Sequence, residues 1–206
     1  NIFLNLKDKS NALQWYKKSL DIDNDYTPAL YNIASLHRQS GDHPEAIRLF
    51  KRAIQADPKL VEAFIGSALS HLALGDLEAA ASLAGQALAI NRVTPGANEI
   101  LGIIAQNQNN PERALEHYAK ELGVNPQSGN SLLNSGLLLL QKGQTADAIG
   151  SLKKASAINT SDQCFLLLAQ AHQNLGQFNE AINEYEKINL SQSRNKLIPF
   201  NFGLCL

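Results

Sequence analysis

The sequence predicts an all-α fold of stacked antiparallel helix pairs, and three registers of small or turn-forming residues carry that prediction. Ala12, Ala46, Ala80, Ala114 and Ala148 stand 34 residues apart, and Ala181 follows after 33. Ala34, Ala68, Gly102 and Gly136 keep the same step, followed by Ala169 after 33 and Gly203 after 34. Between these two registers run Gly41, Gly75, Asn109, Gly143 and Gly176. A single globular core has no use for such a period. Stacked helix pairs need it, because a small residue must recur wherever two helices approach closely. The period predicts one solenoid over residues 1–206, with units at about 27–60, 61–94, 95–128, 129–161 and 162–195 and partial units at 1–26 and 196–206.

Residues 28–58 show how one unit is written. Thr27 is expected to cap the first helix and Pro28 to take its first position. Leu30, Ile33, Ala34 and His37 recur at helical spacing and give an apolar face. Gly41 breaks the helix. Asp42, with Glu45 three residues on, opens a second helix in the manner of a capping box. Ala46, Leu49, Phe50 and Ala53 form that helix's buried face, and Pro58 stops it.

Later units follow the same order. Gly75-Asp76, Asn109-Asn110-Pro111, Gly143 and Gly176 mark their turns. The bulky slot held by Phe50, Tyr118 and Tyr185 holds Ala84 and Leu152 in two units, which should pack less bulk there or borrow it from neighbours. One residue is missing between Ala148 and Ala181, and the linker at 159–162 is its expected place.

Composition narrows the function classes. A formal net charge of −1, from 18 basic and 19 acidic side chains, offers no basic excess for nucleic acid. No stretch is apolar enough to span a bilayer, so no membrane partner is expected. Cys164 and Cys205 make no disulfide framework and suit a reducing, cytoplasmic setting. Nucleophile-elbow, phosphate-loop and zinc-protease motifs are missing, so neither catalysis nor a cofactor is expected. His37, His71 and His172 share one slot in separate repeats. A metal needs converging ligands, so these three are expected to pack in the core. His43 and His117 have no partner at metal-ligand spacing. Glu180, Glu184 and Glu186 fall on second-helix exteriors, where carboxylates are solvated.

At Ala46, Phe50, Ala53 and Pro58 the pattern resembles the tetratricopeptide repeat in full, and at Ala12-Tyr16-Ser19, Ala114-Tyr118 with Pro126, and Ala181-Tyr185 in part. The resemblance implies a right-handed superhelix whose concave side is lined by the first helix of each pair. Positions i, i+4 and i+7 share a helix face. That rule puts Ile65, Leu69 and Leu72 on one lining stripe and Leu133, Leu137 and Leu140 on another. The packing faces are supplied separately by Phe64, Ala68 and His71, and by Leu132, Gly136 and Leu139. A helix apolar on two faces is covered by more than its neighbours. One reading is a groove for an extended peptide or helix. The other is tight superhelical packing, with the groove closed by its own rim.

Asn32, Asn134 and Asn201 each sit two residues before the small slot. They resemble the asparagine ladder of the O-linked N-acetylglucosamine transferase superhelix, which implies amides holding an extended peptide backbone. Gly66, Ile100 and Leu167 interrupt the ladder. Gln170, Gln173 and Asn174, with Gln106 and Asn107, add further amides. The carboxylate clamp of tetratricopeptide co-chaperones is argued against, because the equivalent positions are Tyr31, Ile65, Glu99, Leu133 and Leu166, with no basic pair.

The expected function is a non-enzymatic protein-interaction scaffold with a protein or peptide partner. Its expected peptide-binding residues are Asn32, Ile65, Leu69, Leu72, Leu133, Asn134, Leu137, Leu140, Gln170 and Asn201. The alternative is a substrate-recruiting arm of a larger enzyme such as a glycosyltransferase or sulfotransferase. The chain is expected to begin inside a first helix, about 1–7, and to end inside another, 197–206. Phe200, Phe202, Leu204 and Leu206 stand there in place of a polar cap. That pattern suggests a piece of a longer solenoid, or ends that self-associate.

Overall fold

The computed structural model describes residues 9–188. Among them eleven helices follow one another with no strand: α1 (Lys9–Ile22), α2 (Thr27–Gln39), α3 (His43–Ala56), α4 (Val61–Ala73), α5 (Leu77–Ile90), α6 (Ala97–Asn107), α7 (Pro111–Val124), α8 (Gly129–Gln141), α9 (Thr145–Ile158), α10 (Asp162–Asn174) and α11 (Phe178–Glu186). The expected terminal segments, with Asn201 and the apolar residues around it, lie outside the described residues. Even-numbered helices are the first of each pair and odd-numbered helices the second.

The turn inside each pair is one motif used five times. Gly41, Gly75, Gly143 and Gly176 have φ of 85°, 79°, 74° and 70°, and Asn109 takes the same left-handed conformation at 56°. Such a residue after a helix lets two amides fold back onto the last turn. Here Asp42, Asp76, Asn110, Gln144 and Gln177 each donate N–H to the carbonyl five residues back, at 2.9 Å in every case. The same five residues are the N-caps of the next helices. One residue therefore ends one helix and starts the next, which explains why the turn tolerates no change in length. Asp76 and Asn110 cap with their side chains, accepting from Ala79 N and Arg113 N at 3.1 Å, while Gln144 and Gln177 do not. Asp42 accepts weakly from Glu45 N at 3.4 Å, and Glu45 turns instead to Arg48, so only half of the expected capping box forms.

Two other expectations need correction. Thr27 is the first helical residue and not the cap; Tyr26 holds the N-cap position without a side-chain bond. The histidines of the shared slot are not plain core residues. His37 and His71 place Nδ1 at 2.9 and 3.0 Å from Asp42 and Asp76, and His172 places Nδ1 at 2.6 Å from Gln177 Oε1. They bridge the last turn of one helix to the cap of the next, a polar use that apolar patterning does not reveal. The missing residue falls where expected: 159–161 links α9 to α10, against 57–60 and 125–128 in earlier units.

The chain divides into two compact units, one reaching to Ile104 and the other starting at Ala105. In the first, Leu30, Ile33, Ala34, Ala46, Leu49, Phe50, Ala53 and Ala63 form one core cluster. Ala68, Ala80 and Ala84 form a second with Ile100 and Ile104, whose branched side chains fill the space that Ala84 leaves. In the second unit Leu152 packs with Leu167 and Leu168, and Tyr185 with Ala169, Ala181 and Ile188. Every small residue of the two helical registers among the described residues is buried.

A fourth register went unread in the sequence. Asp57, Asn91 and Asn159 are extended C-caps of the second helices, and Asn125 caps α7 in the same place. Asp57 and Asn91 accept from the N–H two residues on, at 2.9 and 3.1 Å, a local bond that these side chains favour in turns.

Candidate functional site

First helices of successive pairs leave a groove in each unit. The groove of the first unit, about 300 Å³, is lined by α2 and α4 and by the residues leading into α6. Tyr31, Ser35 and Arg38 form its α2 wall, spaced i, i+4 and i+7. Val61, Glu62, Ile65, Gly66 and Leu69 form the α4 wall, with Thr94 and Pro95 beside it. Gly66 is there because Phe50 needs the space: a Cβ at that position would overlap the tip of the Phe50 ring, which is fully buried. Tyr31 stacks obliquely on the same ring at 5.9 Å between centroids. The aromatic pair thus fixes both the core and the floor of the groove.

The groove of the second unit, about 370 Å³, lies on α8 and α10. Leu137, Leu140 and Leu167 give it apolar surface, and Gln141, Gln170, Gln173 and Asn174 give it amides.

Gln106, Gln173 and Arg38 share one register position but differ in what they hold. Gln106 Oε1 accepts from the hydroxyl of Tyr118, and Gln173 Oε1 from the hydroxyl of Tyr185, each at 3.0 Å. Both tyrosines are fully buried, so their hydroxyls require an acceptor. The acceptor stands twelve residues before the aromatic. Twelve residues before Phe50 stands Arg38, and a phenyl ring asks nothing of it.

The expected site residues distribute as follows. Ile65 and Leu69 line the first groove, and Leu137, Leu140 and Gln170 line the second. Leu72 packs against the Ala84 cluster, and Leu133 packs against two clusters around Leu132 and Leu152. Asn32 donates its amide to Pro28 O of its own helix at 2.7 Å, which engages the group that was to hold a peptide. Asn134 is half-buried and lines neither groove. Tyr31 was placed on the inner face but not among the binding residues, and Ser35 and Arg38 were missed. Their signal was present, since they stand 34 residues before Ile65, Leu69 and Leu72, but Ser and Arg break an apolar stripe.

Elsewhere the polar chemistry is structural. Among the described residues no group of three or more His, Cys, Asp or Glu is placed to hold a metal ion. No described helix is long and apolar enough to cross a membrane. Cys164 is buried with Ser161 Oγ at 3.3 Å from its sulfur. The Ala79 N–H, and then His71, hold the Asp76 carboxyl below the usual carboxylate range.

Comparison with known proteins agrees with this architecture. Tetratricopeptide-repeat family models match residues 29–98 and 1–26, and a model of subunit 3 of the anaphase-promoting complex, or cyclosome, matches 107–188. Human Tetratricopeptide repeat protein 6 is 22% identical over 173 residues, which take in 82% of this chain and 33% of that protein. The chain therefore spans about a third of that relative's length, and 12% of the length of Tetratricopeptide repeat protein 37 from Xenopus laevis. The solved anaphase-promoting-complex assembly Cut9–Hcn1 superposes with a TM-score of 0.82 at 18% identity, covering 96% of this chain and 39% of that one. YrrB, a tetratricopeptide-repeat protein described as having an unusual peptide-binding site, superposes at 0.64 with 15% identity, covering 90% of this chain and 96% of its own.

Proposed function

Since the chain is built of tetratricopeptide repeats, a fold that supports protein–protein interaction scaffolds, we propose that each of its two units binds an extended segment of a partner protein in its own first-helix groove. The observation that carries this reading is the α2–α4 groove. Its floor of Tyr31, Ile65 and Leu69 leaves apolar surface accessible beside the polar groups of Ser35, Arg38 and Glu62. Apolar surface with a few placed polar groups is the usual composition of a recognition site. The solved relative YrrB carries a peptide-binding site by its description, which agrees with the reading. The α8–α10 groove adds amides that can donate to and accept from a peptide backbone.

The test compares wild type with Leu69→Asp and Leu137→Asp, each first shown by circular dichroism to keep its helix content. Proteins retained from a cell extract by wild type should be lost on Leu69→Asp or on Leu137→Asp, according to the groove that holds them. Retention of the same proteins by both variants would place binding outside the grooves and overturn the proposal.

A further inference from the structure

The first groove holds two charges of opposite sign that do not meet. Arg38 Nε is buried without an acceptor, and no hydrogen bond or ion pair engages the Arg38 side chain among the described residues. Glu62 lines the same groove from α4 and is likewise without an ion pair there. Arg38 belongs to the last turn of α2 and Glu62 to the first turn of α4. The repeat explains why Arg38 is unengaged. At its register position Gln106 and Gln173 serve a buried tyrosine hydroxyl, whereas the Phe50 ring needs no acceptor. Among the described residues this guanidinium therefore makes no hydrogen bond or ion pair. A buried donor with no acceptor is costly, and a carboxylate supplies two acceptor oxygens in a geometry that fits a guanidinium.

Resting on the groove reading above, we propose that the α2–α4 groove takes an internal stretch of a partner chain in which an acidic side chain pairs with Arg38, an apolar side chain rests on Tyr31, Ile65 and Leu69, and a basic side chain lies toward Glu62. Charge complementarity selects this occupant. The groove offers one cation, so it lacks the second positive charge that would hold a free chain terminus in place of an internal acid. The Glu62 carboxylate disfavours a segment with acids on both sides of its apolar residue.

The experiment uses the full chain and end-capped octapeptides, read by fluorescence anisotropy. One peptide carries a central leucine flanked by a glutamate and a lysine, made in both orders. A second replaces the glutamate by glutamine. A third has no acidic side chain and presents its leucine beside a free C-terminal carboxylate. The expected result is tighter binding of one order of the first peptide, with a loss of about tenfold when its glutamate becomes glutamine. Arg38→Gln should cause a similar loss, and combining the two changes should add little. If Arg38→Gln fails to keep its helix content, the peptide-side change carries the test alone. Equal binding of the glutamine peptide, abolished by Leu69→Asp, would overturn this inference and leave the groove reading standing. Preference for the free carboxylate would overturn the internal-segment assignment. No binding of any peptide up to millimolar concentration would overturn both.

Discussion

The grooves on α2–α4 and on α8–α10 occupy the same register of the repeat yet differ in chemistry. The first presents an aromatic, a hydroxyl, a guanidinium and a carboxylate, through Tyr31, Ser35, Arg38 and Glu62. The second presents leucines and amides, through Leu137, Leu140, Gln170 and Gln173. At the position of Arg38 the second groove has Leu140, and a further contrast lies behind the grooves, in the bulky slot of the second helix. Where that slot is Tyr185, the residue twelve positions earlier is drawn inward to accept its hydroxyl. Where the slot is Phe50, the corresponding Arg38 remains available to the groove. Gln173 thus serves the core while it lines its groove, whereas Arg38 lines its groove without serving the ring behind it.

The largest expected effect comes from the glycines that seat the bulky slot. A Cβ on Gly66 would overlap the Phe50 ring, and one on Gly136 would fall 2.5 Å from Leu152 Cγ. Gly66→Ala should destabilise by about 1–3 kcal/mol through overpacking. That exceeds the gain of roughly 1 kcal/mol from replacing glycine inside a helix. Gly136→Ala should cost a similar amount, because the nearest atom is Leu152 Cγ, which rotation about the second side-chain torsion does not move, and Leu152 is as fully buried as Phe50. Urea midpoints of the two variants compare the sites. If Gly66→Ala matches wild type, the ring has room to shift, and the coupling between core and groove in the first unit is wrong.

How much of this was legible in the sequence follows from the same residues. Small-residue registers are steric requirements, and a strict period exposes them; Ala46, Ala80, Ala114 and Ala148 are all fully buried as the period demanded. Positive-φ turns are equally legible, because Gly41, Gly75, Gly143 and Gly176 answer a backbone need that few residues meet. Polar pairing was less legible. His37 with Asp42 and Tyr185 with Gln173 are joined by side chains five and twelve residues apart, and no hydrophobic pattern marks them. The apolar stripe found Ile65, Leu69, Leu137 and Leu140 but passed over Arg38, since a charged residue at a lining position looks like an interruption. Asn32 is a different case: an amide one turn into a helix can bond back to a carbonyl of the first turn, and this one does.

A smaller effect separates engaged from unengaged residues at one register position. Tyr185→Phe should cost about 1 kcal/mol by removing the hydroxyl bonded to Gln173, and Gln173→Leu should cost at least as much by leaving that hydroxyl buried without this acceptor. The double variant should be less destabilised than the sum, as expected for partners. Arg38→Gln should not destabilise, since no hydrogen bond or ion pair engages its charged side chain among the described residues. A stability loss for Arg38→Gln equal to that of Gln173→Leu would mean that both positions serve the fold, and the contrast between the grooves would collapse.

The smallest effect distinguishes the units by acid. In the first unit the depressed groups are carboxylates: Glu45, lowered mainly by its bond to Arg48, and Asp76, lowered mainly by the Ala79 N–H. Their contribution is present above the ordinary values of 4.5 and 3.8 and is lost as pH falls through the lower folded ones. The second unit has such carboxylates too, Glu112 beside Lys142 and Glu116 beside Lys120. It also has His117, whose pKa is pushed below 6.5 by burial first and by Lys120 and Arg113 next. A depressed histidine favours the neutral ring in the folded state, so its contribution is complete above 6.5 and declines as pH falls through the folded value. Acidification should therefore begin to weaken the chain at a pH where the carboxylates still hold their charge. His117→Gln should remove that early part and leave the later carboxylate part in place. Urea midpoints of wild type and variant at pH 7.5, 5.5 and 4 test this. If the two curves run parallel from 7.5 to 5.5, His117 does not titrate as its surroundings require, and acid gives no means of telling the units apart.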